Sequence, residues 1–227
     1  MRVLGLDGCP GGWAGALLAG DAVTLRRYEG WGAGLQQALD EDVDLVAVDI
    51  PVGLPDPGVA RDCDRAARAV LGRRGASVFP APPRELLGFA SHAAASAASR
   101  AAYGRGISVQ AWNIYGRIAA VDALATPQLQ ARLLEVHPEV AFWQLAGTDL
   151  GSKHTVAGRA ARAAALRADL PGLPDDGALA LRGTARDDVL DALACAWTGR
   201  RWLAGRALLV PAQPPRDAHG LWMGIAA

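Results

Sequence analysis

The chain has 227 residues, 51% hydrophobic and 20% charged, with 23 basic side chains balancing 23 acidic ones. That length supports one large domain or two small ones, and zero net charge argues against wholesale nonspecific coating of DNA while leaving room for a local basic groove. The three cysteines, Cys9, Cys63 and Cys195, are scattered without a C-x-x-C pair, so neither a zinc knuckle nor a disulfide framework is indicated.

The first 29 residues read as a three-stranded meander. Val3–Asp7, Trp13–Leu18 and Ala22–Tyr28 are apolar runs separated by Gly8–Gly12 and by Ala19-Gly20-Asp21. Gly34–Asp40 carries Leu35, Ala38 and Leu39 at helical spacing, and Asp42 to Asp44 closes that helix. Leu45–Ile50 is apolar throughout except for Asp49, the pattern of a central parallel strand buried on both faces, and Pro51 ends it.

Residues 51 to 131 break the sheet pattern and read as a helical and loop insertion within a single domain spanning 1–227. A loop over Pro51–Gly58 leads to a helix over Arg61–Leu71, with Arg61, Arg65 and Arg68 near one face. Gly72–Ser77 and Phe79–Arg84 are irregular, and Ala93–Tyr103 and Gln110–Leu124 are helical. Leu133–His137 returns to strand character until Pro138. A helix is expected over Val156–Ala168 and a loop over Leu170–Leu181. The strongest helix pattern is Ala185–Ala204, stopped by Gly205, with short strands at Ala207–Val210 and Leu221–Ile225.

Several acids sit where structure alone does not favour a charge. Asp7 ends the first strand, Asp49 nears the end of the fourth, and Asp188 and Asp191 lie at i, i+3 on the last helix. If strand four lies beside strand one, Asp7 and Asp49 become neighbours. Packed carboxylates repel and raise one another's pKa. Mg²⁺ or Mn²⁺ would relieve that repulsion, and two such ions suit phosphodiester cleavage. Each acid also has an ordinary reading. Asp7-Gly8 is a turn dipeptide, Asp49 could cap a loop, and Asp187 and Asp188 suit a helix N-terminus.

Glu135, centred in a strand that should be buried, needs either a metal or an arginine from the insertion. His137, without a second ligand at metal spacing, reads as a hydrogen-bonded structural residue. For phosphate, the candidates are Arg61, Arg73, Arg74, Ser77 and Arg84 from the insertion, together with Lys153. Trp112 and Tyr115 could stack on bases or simply fill the core. Lys153 is the only lysine in the chain. There is no P-loop signature and no nucleophile elbow. The Gly8–Gly12 turn leads into a strand, so it is not a dinucleotide fingerprint. It is either a hairpin turn or a backbone cradle for phosphate.

The order of meander, helix, acidic fourth strand and Asp-x-x-Asp helix resembles the ribonuclease H-like superfamily. Asp188–Ala194 is similar to the last-helix motif of its Holliday-junction resolvases. Gly5–Trp13, Val48–Pro55, Arg61–Asp64, Ser77–Pro82, Glu135–Glu139 and Asp187–Ala192 together resemble domain-of-unknown-function family 429, described as predicted RNase H-like nucleases. The resemblance implies an α/β mixed sheet with antiparallel strands 1–3 and parallel strands 4–5, flanked by helices. It implies Asp7, Asp49, Asp188 and Asp191 as catalytic metal carboxylates, with Glu135 an extra ligand. The implied function is a two-metal-ion nuclease, a hydrolase acting on DNA or RNA with Mg²⁺ or Mn²⁺. The same superfold hosts ATP-dependent phosphotransferases, and a noncatalytic binding protein is the third alternative. No apolar signal core and no run of ~18 apolar residues is present, so a cytoplasmic protein without a membrane partner is expected. The oligomeric state is open, a homodimer included.

Overall fold

The computed structural model describes residues 1–175 and 179–227. Part of the loop expected over Leu170–Leu181, residues 176–178, lies outside the described residues. A mixed five-stranded sheet has the order β3-β2-β1-β4-β5. Its strands are β1 (Arg2–Cys9), β2 (Gly12–Ala19), β3 (Ala22–Glu29), β4 (Leu45–Val48) and β5 (Leu133–Glu135). The first three are antiparallel neighbours, while β4 runs parallel to β1 and β5 parallel to β4.

The hairpin between β1 and β2 is tight. Its last pair is Cys9↔Gly12, so the turn is Pro10-Gly11 alone, with Gly11 at φ 76°. Proline presets the first turn position and glycine takes the left-handed second one. β4 is shorter than the expected strand over Leu45–Ile50. The Asp49 amide still donates to the Leu6 carbonyl at 3.0 Å before Pro51 ends the pairing.

Strand pleating divides the core into two layers. Leu4, Leu6, Val46, Val48 and Leu133 face α1 (Trp31–Asp40) and α4 (Val109–Leu124). Val3, Leu45, Ala47, Leu134 and Val136 face the opposite way, toward α5 (Pro138–Ala146), α6 (Val156–Asp169) and α7 (Arg186–Leu203). Between β4 and β5 the chain also forms α2 (Asp62–Leu71) and α3 (His92–Tyr103). A separate antiparallel pair, β6 (Leu209–Val210) and β7 (Ile225–Ala226), completes the fold.

The sequence pattern missed α5, because Pro138 reads as a strand stop. It is also the first residue of a helix, where its missing N–H has no intrahelical carbonyl to bond. Gly72–Ser77 forms a 3₁₀ turn rather than the irregular chain expected there, and a second 3₁₀ turn, Arg84–Gly88, begins where the irregular stretch Phe79–Arg84 ends. Among the described residues, no helix is long and apolar enough to cross a membrane.

The buried helix α7 lies directly on β1 because Gly5 has no side chain. A Cβ there would stand 2.1 Å from the Ala192 carbonyl oxygen and 2.3 Å from the Ala196 amide nitrogen. Both are backbone atoms, so the helix itself would have to move. Gly5→Ala is expected to lower unfolding free energy by about 3 kcal/mol, the upper part of the usual overpacking range. Urea denaturation checks this: an unchanged midpoint would mean that α7 can lift without cost.

Candidate functional site

Strand register brings the first two acids together. Leu6 pairs with Val48 across parallel strands, so Asp7 and Asp49 follow on the next step and both point to the α7 face. Neither accepts a hydrogen bond from an N–H group among the described residues, and the two carboxyl groups lie within hydrogen-bond reach of each other. Burial raises the Asp7 carboxyl well above the ordinary carboxylate range, and the charges of Asp49 and Asp191 push it further. Burial likewise raises Asp49, against the opposing pull of His137 and Lys153. Without a cation, the pair is poised to share a proton.

The first turns of α7 supply the other two acids. Asp191 is 1% exposed, and its Oδ1 is buried with no hydrogen-bond partner. Its Oδ2 accepts from the Lys153 ammonium at 2.5 Å. Burial pushes Asp191 up to about 7 despite Lys153. Burial lowers Lys153, but Asp191, Asp7 and Asp49 more than reverse that and hold it protonated. Asp188 Oδ2 accepts the Ala185 amide at 3.0 Å, closing the helix start, and burial raises its carboxyl. Asp187 points elsewhere, with Oδ2 3.6 Å from His154 Nδ1.

Two basic side chains outside the expected set border this cluster. His137 draws down the Asp49 carboxyl, and its Nδ1 is buried without a partner. Arg117, on α4, packs its guanidinium against Gly8, where a Cβ would lie 2.6–2.8 Å from the Arg117 Cδ, Nε and Cζ. Gly8 thus lies in direct contact with an arginine from a helix more than 100 residues away in sequence, a relation no local pattern displays. An open cleft of about 450 Å³, lined by Val156, Arg159, Ala160, Arg186 and Asp187, lies between the starts of α6 and α7.

The remaining predicted residues lie elsewhere. Glu135 pairs in register with Val48, so it emerges on the face opposite Asp49. There it meets Arg61, with Nη1 to Oε2 at 2.8 Å and Nη2 to Oε1 at 2.7 Å, and it also accepts the Val52 amide at 2.7 Å. Arg61 is 2% exposed and bonds Asp64 as well, so it does not face solvent as a phosphate ligand would. Of the two partners expected for Glu135, the structure supplies the arginine. Arg84 is tied to Asp122 and Asp217. Arg74 lies 3.2 Å from Glu139 and 3.5 Å from Asp149, and Ser77 donates to the Arg74 carbonyl. Arg73 is exposed and Arg68 bonds the Val78 carbonyl. Tyr115 is buried in the core, with Trp112 packed on it at 5.3 Å between ring centroids. Of the six phosphate candidates, only Lys153 stands among the carboxylates.

Two donor sets therefore invite a metal. Cys63, Asp64 and Glu135 form the one trio, among the described residues, whose potential ligand atoms all lie within 4.8 Å of one another. Its centre already holds a cation, the Arg61 guanidinium, and burial raises the Cys63 thiol far from its thiolate form. The Asp7, Asp49, Asp188 and Asp191 set does not close into such a trio. It offers only oxygen donors, an orphaned buried Oδ1 and two carboxyls without N–H partners, which suits a hard divalent ion. The Pro10-Gly11 turn offers little to phosphate, because Pro10 has no N–H and Gly11 supplies the only turn amide.

The family model described as "Protein of unknown function (DUF429)" matches residues 5–216. No curated protein and no solved structure matches the chain.

Proposed function

We propose that this chain, which belongs to the DUF429 family of proteins of unknown function, is a ribonuclease H-like nuclease hydrolysing phosphodiester bonds with a divalent cation. The observation that carries the reading is the placement of Asp7 and Asp49. Two buried carboxyls without N–H partners, only partly offset by Lys153 and His137, stand at the ends of adjacent parallel strands, with Asp188 and Asp191 brought up from α7. Carboxylates crowded in this way weaken the fold unless a cation compensates them. Mg²⁺ or Mn²⁺ held there by Asp7 and Asp49 would supply an acidified water and neutralise phosphate charge. Lys153, Arg117 and the arginines of the α6–α7 cleft would orient the polyanionic backbone.

The tight β1–β2 turn argues against the phosphotransferase alternative, since a phosphate cradle needs several converging amides. The test is incubation with labelled single-stranded, duplex and junction forms of DNA and RNA, with Mn²⁺ or with a chelator. Cleavage of at least one form, abolished by the chelator, is expected. Thermal protection by ATP without any cleavage would point to the phosphotransferase instead. Binding without cleavage would mark a noncatalytic protein.

A further inference from the structure

Lys153 is the only lysine beside 22 arginines. Whatever produced that bias, the one exception sits inside the carboxylate cluster. An ammonium is a compact point charge with three donors, whereas a guanidinium is a broad planar fork. Its Nζ lies 2.5 Å from Asp191 Oδ2, a separation suited to a compact cation.

The two acids expected to complete a second ion's shell are both partly committed. Asp191 Oδ2 holds Lys153, and Asp188 Oδ2 holds the Ala185 amide. Asp7 and Asp49 carry no such commitments, and Asp191 Oδ1 is buried without a partner. The segment bearing Lys153 is also anchored. The buried Arg162, itself fixed by Glu139, bonds the Gly151 carbonyl at 3.0 Å. Arg159 bonds the Lys153 carbonyl at 3.3 Å. Gly158 packs so closely on this segment that a Cβ would stand 2.0 Å from the Ser152 carbonyl oxygen. The ammonium is thus presented by a backbone held at three points.

We propose that the site takes a single divalent cation, at Asp7 and Asp49, and that the Lys153 ammonium stands as a built-in cation in the second ion's place beside Asp191. This rests on reading the carboxylates as a cation site. It alters what that site contains: one exchangeable ion and one covalently tethered charge. The tethered charge persists in chelator, so chelation removes the exchangeable ion and leaves the ammonium beside Asp191.

The test counts Mn²⁺ bound per chain at neutral pH, from the electron paramagnetic resonance signal of the free ion during titration. Wild type is expected to bind one Mn²⁺. Lys153→Met is expected to bind two, because Asp191 is released, and Lys153→Arg to stay at one. Circular dichroism establishes that each variant is folded. A wild type that binds two ions overturns this inference and leaves the nuclease reading intact. A folded Lys153→Met protein that still binds one overturns it as well. Failure of wild type to bind any ion overturns both readings. If Lys153→Met does not fold, the wild-type count still decides between one ion and two.

Discussion

Asp7→Asn is expected to abolish cleavage while making the metal-free protein more stable above neutral pH. The loss of activity should be roughly 10³-fold or more, the order seen when one member of a cooperating catalytic set is removed. Asparagine keeps the shape and one acceptor oxygen but carries no charge, so it loses the cation without leaving a cavity. The stability effect runs the other way because the native carboxyls are strained. Burial holds Asp7 and Asp49 above the ordinary 3.8 and Asp191 at about 7, and the charges of neighbouring acids add to the rise at Asp7 and Asp191. Between 3.8 and those raised values, the folded chain binds protons that the unfolded chain has released. Stability in chelator is therefore greatest in acid and falls as pH rises through that window.

Removing one charge at about pH 8 is expected to restore roughly 1–2 kcal/mol, a rise of about 2–8 °C in melting temperature for a chain of this size. Mn²⁺ should raise the melting temperature of wild type and leave Asp7→Asn nearly unmoved. A variant that melts below metal-free wild type at that pH would make Asp7 a structural acceptor rather than a strained ligand. That outcome would remove the main support for the cation site.

The apolar run around Asp49 marks strand four as central, but the meeting of Asp7 and Asp49 is only conditional in the sequence, and the sheet order with strand four parallel to strand one supplies the condition. Glu135 shows where that reading stops. Its strand could be recognised, but its face depends on the pairing of Val48 with Glu135. A shift of one residue would have turned it toward Asp49. Register belongs to the packed sheet, and composition does not display it.

Arg61 was similarly ambiguous. At the start of a basic helix it has the pattern of a solvated phosphate ligand, and only the convergence of Asp64 and Glu135 buries it. Arg117 could not be found at all without the fold, since it reaches Gly8 from a helix on the other layer. Lys153 left a trace in composition as the only lysine, but its partner Asp191 lies 38 residues away.

The opposite face supplies the largest stability effect. Arg61 is a fully buried cation shared by Glu135 and Asp64, while the Val52 and Ala81 amides take up further lone pairs on the two acids. The cluster ties the end of β5 to the loop after β4 and to the start of α2, so three chain segments depend on one side chain. Arg61→Met would leave two buried carboxylates without their cation. Breaking a buried pair from one side costs about 3–5 kcal/mol, a large share of the roughly 5–15 kcal/mol that holds a typical domain together.

Chemical denaturation of Arg61→Met should therefore show a large loss of midpoint, or no folded protein at 37 °C. Glu135→Gln should cost less, because the amide keeps the shape and one acceptor for the Arg61 fork. Its Mn²⁺ count should equal that of wild type. Loss of Mn²⁺ from a folded Glu135→Gln protein would restore Glu135 as a ligand and require β5 to shift its register. With Mn²⁺ retained, the two acidic clusters separate cleanly by the sheet that divides them. One is neutralised by an arginine and holds the fold, and the other is left partly uncompensated and free to bind a cation.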